Sequence, residues 1–175
     1  MSLPEWHEEP ISKSHDRKGF DCGDAELNAF FDKHARQNHK AGSSKTFCAI
    51  DDANPKRVLG FYSLAPVSIF HELLPVSVTK GLPQHDVGGF QLARIATHTN
   101  MQGQGLGGQL LLAAGKRCLR VAAEAGGILL VIDAKNERAA AWYEGYGAIR
   151  LEDMPLKLVL PLTTIRLALE AAGKF

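Results

Sequence analysis

Met101-Gln102-Gly103-Gln104-Gly105-Leu106-Gly107-Gly108 places four glycines in six residues, directly before QLLLAAGKRCLRVAAEAGG, a long run of good helix formers. Glycine loses more backbone entropy on ordering than any other residue, so such a cluster calls for a physical reason. A helix start leaves its first N–H groups without intrahelical partners and aims them at anions, and glycines let a ligand come close to them. The stretch predicts a phosphate cradle.

Leu106, Leu110, Leu111, Ala114, Cys118, Val121, Ala122 and Ala125 follow at helical spacing, with Gln109, Lys116, Arg120 and Glu124 opposite. That pattern predicts an amphipathic helix packed on a sheet. Before the glycines, FQLARIAT reads as a strand. After the helix, ILLVID, ending at Asp133, reads as a buried central strand, and Asn136 to Gly145 as a second short helix. The tail adds a strand, LKLVLPL, and a helix capped by Thr163 or Thr164 and stopped by Gly173.

Upstream, Asp24 caps a predicted helix running through Ala41, closed by Gly42, that buries Leu27, Phe30, Phe31 and Ala35. Lys33, Arg36 and Lys40 lie on its other side, where a solvated face and a basic patch are both open readings. TFCAID and RVLGFYSLA flank turn formers and predict an antiparallel hairpin. The residues before Asp24 read as irregular, and those from Pro66 to Gly89 as a mobile loop with room for one short helix.

A chain of 175 residues can bury one sizeable core, so a single domain over residues 1–175 is expected. A formal net charge of +1 gives no global attraction to nucleic acid or membranes, although a local basic patch fits within a neutral total. Cys22, Cys48 and Cys118 are odd in number and show no C-x-x-C spacing, which indicates neither a disulfide framework nor a zinc site. No metal is expected. No apolar run has the length of a membrane span, and MSLPEWHEEP is unlike a signal peptide, so the expected location is cytoplasmic.

Two phosphate ligands compete for the cradle. Gly103, Gly105 and Gly108 match G-x-G-x-x-G, and Asp133 ends the next strand where a dinucleotide fold places its ribose-binding acid. Thr97 to Gln102, however, separate strand from glycines, and little chain remains after Asp133 for a doubly wound sheet. The alternative is carried by Gln102-x-x-Gly105-x-Gly107 after ARIAT and by Asn136-x-x-Ala139-Ala140-x-x-Tyr143-x-x-x-Gly147 downstream. In that order, with a strand between, the two motifs resemble the signatures of the GNAT acetyltransferases. The resemblance implies a mixed α/β (α+β) fold, a mixed central sheet flanked by helices. Thr97, His98, Thr99, Met101 and Ala148 depart from the family's usual residues.

The resemblance implies acetyl-CoA as cosubstrate, with its pyrophosphate on the backbone of Gln102, Gly103, Gln104, Gly105, Leu106, Gly107 and Gly108. It also implies pantetheine pairing along Ile95, Ala96 and Thr97, and a contribution from Asn136. Tyr143 resembles the family's general acid for the departing thiolate, and a core aromatic is its bland alternative. The N–H groups from Ile95 to Thr97 are the expected oxyanion donors. No clear base accompanies them, which suits an α-amine with a pKa of about 7.7–8.0 better than a lysine near about 10.4. His98 is open as a base or as a loop histidine.

Phe20-Asp21-Cys22-Gly23, Gly60-Phe61-Tyr62-Ser63-Leu64, Leu92-Ala93-Arg94-Ile95-Ala96, Val131-Ile132-Asp133-Ala134 and Trp142-Tyr143 further resemble toxins of bacterial toxin–antitoxin pairs, the TacT and AtaT type, which acetylate aminoacyl-tRNA. That implies Arg94 at the tRNA acceptor end, with Lys33, Arg36 and Lys40 as further tRNA contacts. It also implies a ribbon-helix-helix antitoxin partner and leaves a homodimer open. The other readings are a GNAT enzyme for a small amine or protein N-terminus, and a non-catalytic or dinucleotide-binding module.

Overall fold

The computed structural model describes residues 2–174. Seven strands form one mixed sheet in the order β1-β2-β3-β4-β5-β7-β6. They are β1 (Trp6–Pro10), β2 (Lys45–Asp51), β3 (Val58–Ile69), β4 (Val87–Thr97), β5 (Leu129–Asp133), β6 (Ile149–Leu151) and β7 (Met154–Pro161). The helices are α1 (Ala25–Lys33), α2 (Ala35–Ala41), α3 (Val76–Thr79), α4 (Leu106–Ala125), α5 (Glu137–Glu144) and α6 (Leu162–Ala171). The β4–β5 pair is parallel while β1–β2, β2–β3, β5–β7 and β6–β7 are antiparallel, as expected for a mixed sheet and not for a doubly wound parallel one.

The chain divides into two compact units. The first holds the residues up to Ala65 and Ala93–Ala114. Its core gathers Ile11, Phe20, Phe31, Ala35, Cys48, Ile50, Val58, Phe61 and Ala96. Phe31 stacks on Phe61 at 4.4 Å and Phe20 meets both rings. The Asp24 carboxylate accepts from the N–H groups of Glu26 and Leu27, which starts α1, and Gly42 at φ 83° closes α2. The single helix expected from Asp24 to Ala41 is instead two. At His34 the backbone leaves the helical region with φ −123°, its N–H closing α1 on Phe30 and its carbonyl opening α2 toward Asn38. The expected hairpin is present as β2 and β3, and the irregular start contains an extra strand, β1, on the β2 edge.

The second unit holds Pro66–Leu92 and Gly115–Phe175. Ile69, Leu74, Val87, Leu129, Val131, Leu151 and Val159 form its core. The segment expected as a loop is shorter than its sequence suggested. β3 runs on through Pro66, which lies beyond the last position paired with β2, where a missing N–H costs no ladder bond on that side. A 3₁₀ turn (His71–Leu73) and α3 follow, and β4 already begins at Val87. Gly89 sits within that strand because a Cβ there would lie 2.4 Å from the Leu129 carbonyl oxygen. α6 starts at Leu162, with Pro161 at its N-cap and Thr163 and Thr164 inside the first turn, where proline's lack of an N–H is harmless. On α4, Val121, expected on the buried face, is exposed, and Leu119, which the periodic pattern did not include, is buried.

Candidate functional site

In the first unit, β4 ends at Thr97 and a 3₁₀ turn, Thr99–Met101, leads into the glycine run and α4. This connection is fixed by the chain before α1. Gln102 donates its side-chain amide to the carbonyl oxygens of Cys22 (3.0 Å) and Thr97 (3.2 Å), and the Thr99 N–H bonds the Asp21 carbonyl at 2.9 Å. Asp21 in turn accepts from Gly23 N–H and from Asn28 Nδ2. The motif glutamine is therefore a latch between the Asp21–Gly23 loop and the end of β4.

The glycines then turn the chain with φ 79° at Gly103 and 86° at Gly105, conformations that L side chains resist. A Cβ at either position would meet nothing within 4 Å. Packing against protein is thus no reason for glycine there, and the space above the backbone is open. α4 begins one residue later, so the N–H groups of its first turn have no intrahelical acceptor and carry the positive end of the helix dipole. Gln104 donates its amide to the Asn100 carbonyl at 3.0 Å, while its buried Oε1 has no partner among the described residues. An anion at the N–H groups, and a donor near Gln104, would satisfy what the protein leaves open. These residues fit a pyrophosphate-bearing ligand.

β4 pairs with β5 at Phe90, Gln91 and Leu92 and continues five residues past the last of these, through Ile95, Ala96 and Thr97. The backbone of this end is fixed by Ala96, buried in the core, and by His98, whose N–H reaches the Leu59 carbonyl at 2.8 Å. His98 Nδ1 accepts from Asn100 N–H at 3.2 Å, so the neutral ring carries its proton on Nε2, and the ring stands edge-on to Phe20.

Arg94 is exposed on β4, with its guanidinium 4.7 Å from the centroid of Phe30 on α1 and one N–H on the Ala93 carbonyl. The ring holds the charge without neutralising it. Lys33 ends α1, while Arg36 and Lys40 lie four apart on α2. The break at His34 therefore removes Lys33 from the helical face shared by the other two. Lys33 and Lys40 are exposed and Arg36 is half-buried.

In the second unit, Asn136 is the N-cap of α5, its Oδ1 accepting from Ala139 N–H at 2.9 Å. Its amide thus already has a structural role. Tyr143 is buried at 7% exposure, and burial raises its phenol to about 12. Its ring meets Trp142 edge-on at 5.0 Å, and Trp142 meets Tyr146 at the same separation, with both of those rings partly exposed. Asp133, the ribose-binding acid of the dinucleotide reading, is bound by Lys157 at 2.9 Å and by the Gln91 amide at 3.3 Å.

The positional roles of two residues escaped the sequence reading. Gly60 on β3 lets β4 and α4 approach, and a glycine inside a strand pattern was a usable signal for such an approach. Arg150 on β6 binds both ends of α5, and its partners Glu137 and Glu144 stand seven apart, on one helix face. Among the described residues no group of three or more His, Cys, Asp or Glu could hold a metal, and no helix is long and apolar enough to cross a membrane.

Residues 42–147 match the family model described as acetyltransferase (GNAT) domain. The chain is 33% identical to the tRNA-acetylating toxin of Mycobacterium tuberculosis, with 89% of this chain and 92% of the relative covered. It is 30% identical to a protein of Sinorhizobium fredii named "Probable toxin TacT", with 90% and 92% covered. AtaT complexed with acetyl-methionyl-tRNAfMet matches with a TM-score of 0.87 at 26% identity, over 94% of this chain and 99% of that one. AtaTR bound with AcCoA matches with a TM-score of 0.80 at 27% identity, over 93% and 97%.

Proposed function

The chain belongs to the GNAT acetyltransferase family, and from that premise we propose that it moves the acetyl group of acetyl-CoA to the α-amino group of an aminoacyl-tRNA, as a translation-blocking toxin. The observation that carries acetyl transfer is the open, positive-φ pair Gly103 and Gly105 at the start of α4. The substrate is supported by likeness to a tRNA-acetylating toxin over about nine-tenths of the chain. Residues 1–175 act as one acetyltransferase domain.

In this reading the pyrophosphate sits on the N–H groups from Gln102 to Gly108, as a charge-assisted anion site. The pantetheine amides pair with Ile95, Ala96 and Thr97 as an added strand would, and Asn136 contributes through the backbone it caps. The neutral amine attacks the thioester carbon, and the oxyanion forms against N–H groups of the β4 end. The C–S bond then breaks and Tyr143 gives its proton to the sulfur. The amide nitrogen releases its proton to solvent, from which the phenolate is restored.

The cysteines take no part. Burial raises the Cys22 thiol, raises Cys118 to about 12 and raises Cys48 further, so all three stay protonated at neutral pH. An acyl-cysteine intermediate is therefore disfavoured and acetyl transfer is direct. Arg94 faces the acceptor end of the tRNA, with Arg36, Lys40 and Lys33 as further phosphate contacts. The protein works in the cytoplasm and is silenced by a ribbon-helix-helix antitoxin, and a homodimer is the assembly to test for.

The deciding experiment is acetyl transfer from labelled acetyl-CoA onto a pool of charged tRNAs. Label on the aminoacyl group supports the reading. Label only on polyamines or peptide N-termini would keep the chemistry and discard the toxin, and CoA-independent binding of NAD would discard both.

A further inference from the structure

α5 has only eight residues, too few to be stable without help from its surroundings. Its first residue is Glu137 and its last is Glu144, which face the same side, about 20° apart around the helix axis. From β6, Arg150 reaches both. Nη1 and Nη2 donate to the two oxygens of Glu137 at 2.7 Å each, and Nη2 also meets Glu144 at 2.8 Å. The Arg150 side chain is 21% exposed while Glu137 at 75% and Glu144 at 45% face solvent, so the strap acts through its geometry more than through shielded charge.

The two carboxylates differ in their relation to the helix dipole. Glu137 lies at the positive end, where a carboxylate is welcome, whereas Glu144 lies at the negative end, where it is repelled unless a cation stands beside it. Arg150 is that cation. The same turn is tied back toward β6 by the Tyr143 carbonyl, which accepts from Tyr146 N–H at 3.0 Å and Ala148 N–H at 3.2 Å. Ala140 and Tyr143, both buried, hold one side of α5 against the sheet. A fork gripping both ends of a second face further limits roll of the helix about its axis.

Tyr143 is the residue next to Glu144, with its phenol oxygen at the tip of a long side chain, so roll of α5 moves that oxygen more than it moves the backbone. We propose that Arg150 is a positioning residue for the reaction, strapping Glu137 and Glu144 so that α5 holds Tyr143 in one orientation. This rests on the reading of Tyr143 as the acid. A lysine would replace the strap only in part, because one ammonium keeps the charge but lacks the planar fork that serves both carboxylates.

The test is a double-mutant cycle on the full chain, measuring kcat and KM for acetylation of charged tRNA at temperatures where each variant is folded. Arg150→Met should lower kcat about tenfold to a hundredfold, the cost of a misplaced group, and leave KM for acetyl-CoA unchanged. Glu144→Gln and Arg150→Lys should give smaller losses of the same kind. In a Tyr143→Phe background Arg150→Met should lower kcat no further. An equal loss in both backgrounds would overturn the proposal and leave Arg150 as a support of the fold. Should Arg150→Met fail to fold, the same cycle with Glu144→Gln decides. If Tyr143→Phe alone keeps the wild-type kcat, the assignment of Tyr143 fails, and the strap's catalytic meaning with it.

Discussion

Gly60 and Leu110 are in such close contact that a Cβ added to Gly60 would stand 2.9 Å from Leu110 Cδ1, and equally 2.9 Å from the Ala96 carbonyl oxygen. A leucine can shift, whereas the carbonyl belongs to β4 and cannot move without displacing the strand. Gly60 therefore sets the spacing of β3, the end of β4 and the first turns of α4, which together aim the N–H groups of the cradle. Gly60→Val should destabilise the fold by about 1–3 kcal/mol, as overpacking does, and weaken acetyl-CoA binding as well. Urea unfolding and calorimetric titration read the two effects. Wild-type stability in the variant would show that the contact is relieved elsewhere.

Gly105 is the converse case, with open space around it and a φ of 86°. A Cβ there meets no protein atom within 4 Å, but a valine strains the backbone by about 1–2 kcal/mol and projects into the ligand's approach. The fold should persist. Losing one charge-assisted backbone hydrogen bond, about 1.5–3 kcal/mol, corresponds to about a tenfold to hundredfold rise in Kd for acetyl-CoA. Unchanged affinity in a folded Gly105→Val protein would remove the anion site from this turn.

Arg94 tests the nucleic-acid side. Its charge rests on the Phe30 ring and on no carboxylate among the described residues, so it is available to a phosphate. Arg94→Ala should raise KM for charged tRNA, reduce the salt slope of tRNA binding by about one and leave acetyl-CoA affinity intact. An identical salt slope would make Arg94 a β4 residue that only packs against Phe30 of α1.

The glycine turn before α4 was legible because glycines in that density have few uses other than backbone geometry, and α4 and β5 because their periods are long enough to see. β1 and β6 were not. Trp6–Pro10 is mostly polar and owes its strand to pairing with β2, and Ile149–Leu151 is three residues long, so both exist through partners distant in sequence. The break at His34 interrupts a pattern that Phe31 and Ala35, both fully buried, satisfy on either side of it. Arg150 was illegible for a similar reason, since a strand residue and two helix carboxylates reveal a strap only once the chain is folded.

Burial of Tyr143 predicts a pH dependence of stability. Its phenol titrates near 12 in the folded state against 10.0 for a free tyrosine. The folded state thus holds the proton more tightly. The resulting stability is fully present below pH 10 and is lost as pH climbs through 12, by about 2–3 kcal/mol for a two-unit shift. Cys118, raised by about three units, adds a larger loss of about 4 kcal/mol and Cys48 adds its own, so only the difference between wild type and Tyr143→Phe isolates the phenol. That difference should be flat from pH 6 to about 9 and shrink above pH 10. A pH-independent difference up to pH 12 would mean the phenol is solvated.

The same variant tests the chemistry by removing one oxygen. Phenylalanine keeps the ring and its edge-on contact with Trp142, so folding and acetyl-CoA affinity should stay close to wild type. What disappears is the proton for the leaving sulfur. General acid assistance is worth about 10²–10⁴-fold, and kcat for charged tRNA should fall by that factor with little change in KM, because the interaction gains strength only as the thiolate departs. The pH profile separates the partners. A phenol near 12 stays protonated throughout the working range, so the rise of kcat/KM with pH in the wild type should follow the α-amine of the substrate, with no fall from Tyr143 below about pH 10. Tyr143→Phe should keep the pH of that rise and lower the plateau. A variant with the wild-type plateau would leave Tyr143 as a buried aromatic of α5, and a wild-type rate that falls with a midpoint near pH 8 would place the proton on another group.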